Sequence, residues 1–170
     1  MTPKDVFDLV HDFFCSRTQG ADNSSVSCNL LRVACMGNAE KTIQGELLYR
    51  LRSNSVDAVS ENGYRQIHPS GMADRDIDIM VFDGNTPLVA IELKHYSPHQ
   101  GGVVPLCNQL DADYIKHFKS PAALPKNIPL IQVGLFTEVE NITPWPTPTG
   151  IADFAFYRFI SAYVLKNGKA

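Results

Sequence analysis

Two short runs of apolar residues, joined by a tight turn, give the clearest signal in the pattern of hydrophobic and polar positions. In residues 77–82, β-branched side chains occupy every second position, which is typical of a strand. The Asp-Gly-Asn sequence at residues 83–85 favours a turn, because glycine adopts a positive φ without strain. Residues 88–93 are almost wholly apolar, as in a strand covered on both faces, and Pro87 fits at its start. The pattern therefore predicts a hairpin with a buried second strand.

Apolar residues at helical spacing predict three helices. The first begins at a Thr-Pro-Lys-Asp signature in residues 2–5, with threonine as the N-cap, and extends to about residue 17. The others cover about residues 39–52 and 106–118, where apolar positions recur every fourth residue. We expect the apolar stripe of the N-terminal helix to join the core, with a dimer interface as the alternative.

Further strands are predicted on both sides of the hairpin. Residues 64–68 have the character of a first strand, and residues 128–136 that of a buried strand parallel to the second strand of the hairpin. The helix over residues 106–118 supplies the right-handed crossover that such a parallel pair requires. Residues 151–165 predict a last strand followed by a short helix.

The segments between these elements have weaker patterns. Residues 56–63 are polar and predict a turn, residues 95–105 predict a loop, and residues 28–36 fit either a buried helical turn or a strand. The element order predicts an α/β domain with a mixed central β-sheet flanked by helices on both faces.

Length and composition are those of one globular domain. The chain has 170 residues, of which 44% are hydrophobic, enough for a sizeable core. It contains no run of eighteen apolar residues and no signal-peptide pattern at its start, so we expect a cytoplasmic protein. The cysteines lack zinc-ligand spacing, which favours inert thiols, with a disulfide between the second and third as the alternative in an oxidising compartment: Cys15, Cys28, Cys35 and Cys107.

The net charge of −3 argues against a protein that coats nucleic acid by charge alone. It does not exclude a nuclease, because acidic metal ligands lower the net charge and a bound cation offsets them locally.

Charged residues at the end of the predicted buried strand are the strongest candidates for chemistry. Glu92 and Lys94 are two residues apart and share a face of the strand, and Asp78 precedes Glu92 by fourteen residues, the reach of one hairpin. Carboxylate oxygens are the ligands that Mg²⁺ prefers, and a lysine beside them can steady a phosphate or activate a water. The alternative is a partly exposed salt bridge on a hairpin.

Two aspartates compete with Asp78 for a metal-binding role. Asp74 and Asp76 lie in the preceding polar loop, whereas Asp78 is embedded between Ile77 and Ile79, where a strand would hold it rigidly. Asp78 therefore fits the role best.

Other polar residues have weaker claims. Glu46 lies on the second helix, with Gln44 near it, and Gln109 opens the polar side of the third helix. His95 and His99 lie in the loop after the hairpin, where they could contact a phosphate or a base, although solvated histidines are commoner there. We expect three residues of the third helix to form a solvated face: Asp111, Asp113 and Lys116.

The pattern of Asp78 followed by Glu92-Leu93-Lys94 resembles the PD-(D/E)xK nuclease superfamily, which has the restriction-endonuclease-like fold. The resemblance covers about residues 44–136. It implies an α-β-β-β-α-β core over residues 38–136, an N-terminal helical extension over residues 1–37, and a C-terminal loop with a strand and helix over residues 137–170.

The resemblance also implies a function, which is hydrolysis of phosphodiester bonds with Mg²⁺ or Mn²⁺ as cofactor, DNA being the favoured substrate. Asp78, Glu92 and the carbonyl of Leu93 would bind the metal, Lys94 would position or activate the attacking water, and Glu46 would be an outer or second-metal ligand. Gln109 and His95 would be weak substrate contacts. Some branches of the superfamily carry Gln-x-x-x-Tyr on this helix, whereas the spacing from Gln109 to Tyr114 is one residue longer here.

Several interpretations of function stay open from the sequence. A homodimer is expected if both strands of a duplex are cut, because one small domain supplies one site. A nuclease fold that has lost catalysis and binds nucleic acid or protein is one alternative. A small toxin or effector nuclease held by an inhibitor protein is another.

Overall fold

The computed structural model describes residues 1–18, 39–60, 77–96, 103–118, 128–139 and 156–165. Three helices and five strands lie in these ranges: α1 Pro3–Thr18, α2 Ala39–Ser53, β1 Asp57–Ser60, β2 Ile79–Asp83, β3 Thr86–Tyr96, α3 Val103–Phe118, β4 Leu130–Val139 and β5 Phe156–Leu165. None of the helices in these ranges is long and apolar enough to cross a lipid bilayer.

The five strands form one mixed sheet in the order β1-β2-β3-β4-β5. Strand β2 is antiparallel to its two neighbours β1 and β3, whereas β4 is parallel to β3 and β5 is parallel to β4. The chain passes from β3 to β4 through α3, as the sequence predicts. The prediction of an α/β domain with a mixed sheet flanked by helices is therefore confirmed.

The hydrophobic core has one layer on each face of the sheet. Val89, Ile91 and Leu93 of β3 pack with buried residues of α1 and α2. Ala90, which points to the opposite face because side chains alternate along a strand, packs with Tyr114 of α3. Helices α1 and α2 thus cover one face, and α3 covers the other.

The β2–β3 hairpin forms where the sequence places it. Asp83 pairs with Thr86 across a two-residue turn, and Gly84 at the first turn position has a φ of 60°. Glycine at this position is the requirement of the type II′ hairpin turn. The turn and a bulge between Val81 and Phe82 together set the register that brings Ile79 opposite Ile91, and so bring Asp78 close to Glu92.

Three predictions about elements outside the hairpin are wrong in part. Residues 57–60 form strand β1 instead of a turn, because the side chains of Val56 and Ala58 are buried and the backbone pairs with β2. Helix α3 begins at Val103, since Pro105 lies in the first helical turn, where a backbone N–H is not needed. Residues 156–165 form a strand throughout, with no helix at the end, because the backbone pairs with β4 along that whole length.

Other predictions fall outside the described residues. These are the strand over residues 64–68, the ambiguous segment over residues 28–36, the alternative disulfide, the competing aspartates Asp74 and Asp76, and His99.

Candidate active site

The candidate site lies where β3 runs on past the beginning of β2. The last ladder pair on this side joins Ile79 to Ile91, whereas pairing with β4 continues to Tyr96. The N–H of Ala90 donates to the carbonyl of Pro129, on the β4 side of the strand. Because N–H groups alternate in direction along a strand, those of Leu93 and His95 point to the other side, beyond the reach of β2.

Two carboxylates satisfy these amides. The N–H of Leu93 donates to Asp78 Oδ2 at 2.7 Å, and the N–H of His95 donates to Glu40 Oε2 at 3.3 Å. Asp78 immediately precedes β2, and its own carbonyl accepts a hydrogen bond from the buried side-chain amide of Gln44 on α2. Asp78 and Glu40 therefore lie along the part of the β3 edge that does not pair with β2.

Glu92 and Lys94 share the face of β3 that α3 covers. Lys94 Nζ lies 3.2 Å from Asp113 Oδ2 of α3. Glu92 is only 4% exposed and Asp78 only 8%. The predicted trio of Asp78, Glu92 and Lys94 is thus brought together at one edge, in an environment largely closed to solvent.

The electrostatics of the site are dominated by burial of acidic groups. Burial raises the pKa of the Glu92 carboxyl well above its ordinary value, and the nearby Asp78 carboxylate raises it further. Burial also raises the pKa of Glu40, an effect that the positive charge of Lys94 reduces. Although burial alone would lower the pKa of Lys94, the carboxylates of Glu40, Asp113 and Glu92 together raise it. The ammonium of Lys94 therefore keeps its charge at neutral pH.

A stability measurement tests the cost of the buried Glu92 carboxylate. Because the pKa of Glu92 is raised on folding, its ionisation opposes folding, and this cost grows as pH rises above the ordinary glutamate range. In EDTA at pH 8 we expect Glu92→Gln to unfold above the parent temperature, by roughly 2–4 °C if the cost is about 1 kcal/mol. Calorimetry from pH 4 to pH 8 should show this difference growing with pH. A difference in unfolding temperature that stays the same at all pH values would mean that ionisation of Glu92 does not destabilise the folded state.

A divalent cation fits this set of groups. Asp78 and Glu92 are two buried carboxyl groups whose proximity disfavours their joint ionisation, and a cation would offset both the burial and the repulsion. The carbonyl of Leu93 lies on the same side of the strand as its N–H, which is the side of Asp78. Within the described ranges no three Asp, Glu, His or Cys side chains converge closely enough to hold a metal ion. An ion such as Mg²⁺ needs only one or two protein carboxylates and keeps several waters.

Glu46 does not take the position predicted for it. It lines an outward-facing groove of α2 with Lys41, Tyr49 and Arg50, roughly half a turn around the helix from Gln44. The helical residue that reaches the edge of β3 is Glu40, because it lies four residues before Gln44 and so shares its face. Of these two helical carboxylates, that of Glu40 therefore contacts the edge of β3.

The two weaker substrate candidates differ in their placement. His95 belongs to β3 and is buried, with 8% exposure, so it does not lie in a solvated loop as expected. Gln109 is exposed on α3, one turn before Asp113 and on the same stripe of the helix. Gln109 thus remains a candidate contact at the border of the site.

Sequence reasoning missed Glu40 and misplaced Asp113. The spacing from Glu40 to Gln44 shows that the two residues share a face of the helix, but it does not show that this face reaches the end of β3. Asp113, expected on a solvated face, is instead paired with Lys94. No spacing in the sequence separated Asp113 from the other charged residues of this helix.

Comparisons with family models, with curated proteins and with solved structures found no match to this chain.

Proposed function

We propose that this protein is a Mg²⁺- or Mn²⁺-dependent nuclease of the PD-(D/E)xK type, which hydrolyses phosphodiester bonds, DNA being the favoured substrate. The observation that carries the proposal is the convergence of Asp78, Glu92 and Lys94 at the edge of β3, with both carboxyl groups buried. Buried acids are costly unless they are paired or bind a metal, and they gather at functional sites more often than elsewhere.

The order of elements supports the same proposal. From α2 to β4 the chain runs helix, three antiparallel strands, helix, and a strand parallel to the third. This is the order expected of a restriction-endonuclease-like core, with α1 before it and β5 after it. The position of Asp78 immediately before one hairpin strand, with Glu92 and Lys94 near the end of the next, also supports the proposal.

In the proposed reaction Asp78, Glu92 and the Leu93 carbonyl would hold the divalent cation, and Glu40 would supply a further carboxylate at the border of the site. A cation held there supplies Lewis-acid polarisation of the phosphate and a water of lowered pKa. The N–H of Leu93 keeps the Asp78 carboxylate oriented, and the side chain of Gln44 fixes the backbone that carries it. These contacts set the position of the carboxylates before any substrate binds.

Lys94 acts in this proposal as a charged hydrogen-bond donor. Its pKa is raised by Glu40, Asp113 and Glu92 despite its burial, so the amine is protonated at neutral pH and does not serve as a general base. A protonated amine can orient the attacking water and stabilise the negative charge that develops on the phosphate.

A matched pair of variants on α2 tests the role of Glu40. We expect Glu40→Gln to lower cleavage by about tenfold or to change the preference between Mg²⁺ and Mn²⁺, since it removes one charge at the edge of the site. Glu46→Gln, the same substitution on the outward face, should cleave like the parent. Cleavage rates in each metal are the measurement. A loss caused by Glu46→Gln and not by Glu40→Gln would restore the assignment made from the sequence.

The function itself is tested by incubating the parent protein with plasmid, linear single-stranded DNA and RNA, each with Mg²⁺, Mn²⁺ or EDTA. Cleavage of at least one substrate with metal and none with EDTA is expected. Binding without cleavage of any substrate would favour a catalytically silent module on the same fold. The cut plasmid also reports on assembly, because linear product at early times requires two sites acting together, as in a homodimer.

A further inference from the structure

The ammonium of Lys94 has a partner that the proposed chemistry does not use. Lys94 Nζ and Asp113 Oδ2 are 3.2 Å apart, and the two side chains are only 23% and 15% exposed. The pair joins β3 to α3 across the same face of the sheet that carries Glu92. It is therefore not a solvated surface ion pair of the kind formed by Lys4 and Asp8, whose side chains are more than half exposed.

The backbone that carries Asp113 is firmly placed. Gln132 of β4 is fully buried, and its side-chain amide donates to the carbonyl of Leu110, one turn before Asp113, at 2.6 Å. Gln132 is also the register partner of Glu92 on the neighbouring strand. Leu110 and Tyr114 are buried on either side of Asp113. Helix α3 is thus held against β3 and β4 next to the candidate site.

The contact between Lys94 and Asp113 is a poor one for stability alone. Asp113 Oδ2 is buried, and within the described ranges its polar partner is the ammonium of Lys94, with which it forms an ion pair at 3.2 Å. A buried ion pair is weak evidence for stability, because removing two charges from water offsets much of their mutual attraction. Perturbed charged groups that are held together in a closed environment are commoner at functional sites than elsewhere, so the pair calls for a functional explanation.

Resting on the proposed function, we infer that Asp113 is a positioning residue that holds the Lys94 ammonium at the candidate site before substrate arrives. Lysine has a long flexible side chain, and confining it to one rotamer opposes its conformational entropy. Asp113 provides that confinement from a rigid helix, so that a bound phosphate meets an ammonium already in place. Asp113 does not touch the reacting atoms and acts through Lys94.

The kinetic test compares Asp113→Asn and Asp113→Glu with the parent on the substrate that it cleaves. We expect Asp113→Asn to lower kcat between about fivefold and thirtyfold, the range set by one disordered lysine side chain, with KM within about twofold of the parent value. Asp113→Glu, which keeps the charge, should recover part of kcat. Asp111→Asn removes the same charge from an exposed position of α3 and should leave kcat unchanged.

A second comparison assigns the effect to Lys94. In a Lys94→Met background Asp113→Asn should have no further effect on kcat, since the ammonium that it positions is gone. If the parent is active and Asp113→Asn leaves kcat unchanged, this inference is wrong while the proposed function stands. The same holds if Asp113→Asn lowers kcat by the same factor in the parent and in the Lys94→Met background. An inactive parent would reject the proposed function and this inference together, so the two failures are distinguishable.

A third measurement needs only the parent protein, and so holds even if a variant does not fold. Carbon relaxation by NMR reports the mobility of each lysine at Cε. The Lys94 Cε should be markedly more ordered than that of Lys4, whose ion pair is exposed. Equal mobility of the two side chains would overturn the inference.

Discussion

Lys94→Met is expected to lower cleavage by about two orders of magnitude or more, the usual scale for removing a positioned electrostatic or acid–base group. Methionine keeps most of the aliphatic stem, so the packing between β3 and α3 is largely retained while the charge is lost. The carboxylates of Asp78 and Glu92 remain, and they should still bind the metal. Single-turnover cleavage and metal-dependent thermal stabilisation, measured on the same preparation, separate the two effects.

Lys4→Met is the control for this experiment, because Lys4 lies on the exposed side of α1 in an ion pair with Asp8. It should leave cleavage unchanged. Full cleavage by Lys94→Met would reject Lys94 as a catalytic residue. A loss of both cleavage and metal binding would show instead that Lys94 supports the arrangement of the carboxylates.

Asp78→Ala and Glu92→Ala are each expected to abolish the stabilisation that Mg²⁺ or Mn²⁺ gives to the parent. A ligand that binds only the folded state at a hundred times its Kd adds about 2.7 kcal/mol to the free energy of unfolding. For a domain of this size that corresponds to a rise in Tm of roughly 5–10 °C. Thermal unfolding with EDTA and with rising metal concentration is the measurement.

Asp83→Ala is the matched control, since Asp83 lies on the same hairpin but is exposed at the turn. It should retain the whole metal-dependent shift. If both site variants keep the same shift as the parent, the metal is bound elsewhere and the assignment of Asp78 and Glu92 is wrong.

The hairpin and its charged residues were predictable because local rules determine them. The two-residue period, the glycine turn and the length between Asp78 and Glu92 are all properties of adjacent sequence. Strand alternation then puts Glu92 and Lys94 on one face without knowledge of the rest of the fold. Side-chain burial at these positions also follows, since the strand that carries them is apolar on either side.

Glu40 could not be assigned in this way, because its role depends on a tertiary relation. Helical periodicity shows which residues of α2 face the sheet, but not which of them reaches the end of β3. That depends on where β2 stops pairing, which leaves the N–H of His95 for the Glu40 carboxylate. The resemblance to PD-(D/E)xK nucleases implied Glu46, whose side chain lines a groove on another side of α2 from Gln44.

Two elements outside the hairpin show the same limit. Strand β1 has a weak local pattern and exists because β2 offers it an edge to pair with. The aromatic and apolar residues of β5 fit a helix or a strand equally well in sequence, and parallel pairing with β4 decides the outcome. Pairing between strands that are distant in sequence leaves no local pattern, and it therefore accounts for these differences between the predicted and the observed elements.

The central claim is that the buried carboxylates Asp78 and Glu92 form a metal-dependent hydrolytic site. The most direct measurement is cleavage of the preferred nucleic acid by EDTA-stripped parent protein and by the Asp78→Ala, Glu92→Ala double variant, each titrated with Mn²⁺. Cleavage that rises with Mn²⁺ in the parent and stays at background in a folded double variant is the predicted result. Equal cleavage by both proteins, or none by the parent at any Mn²⁺ concentration, would contradict the claim.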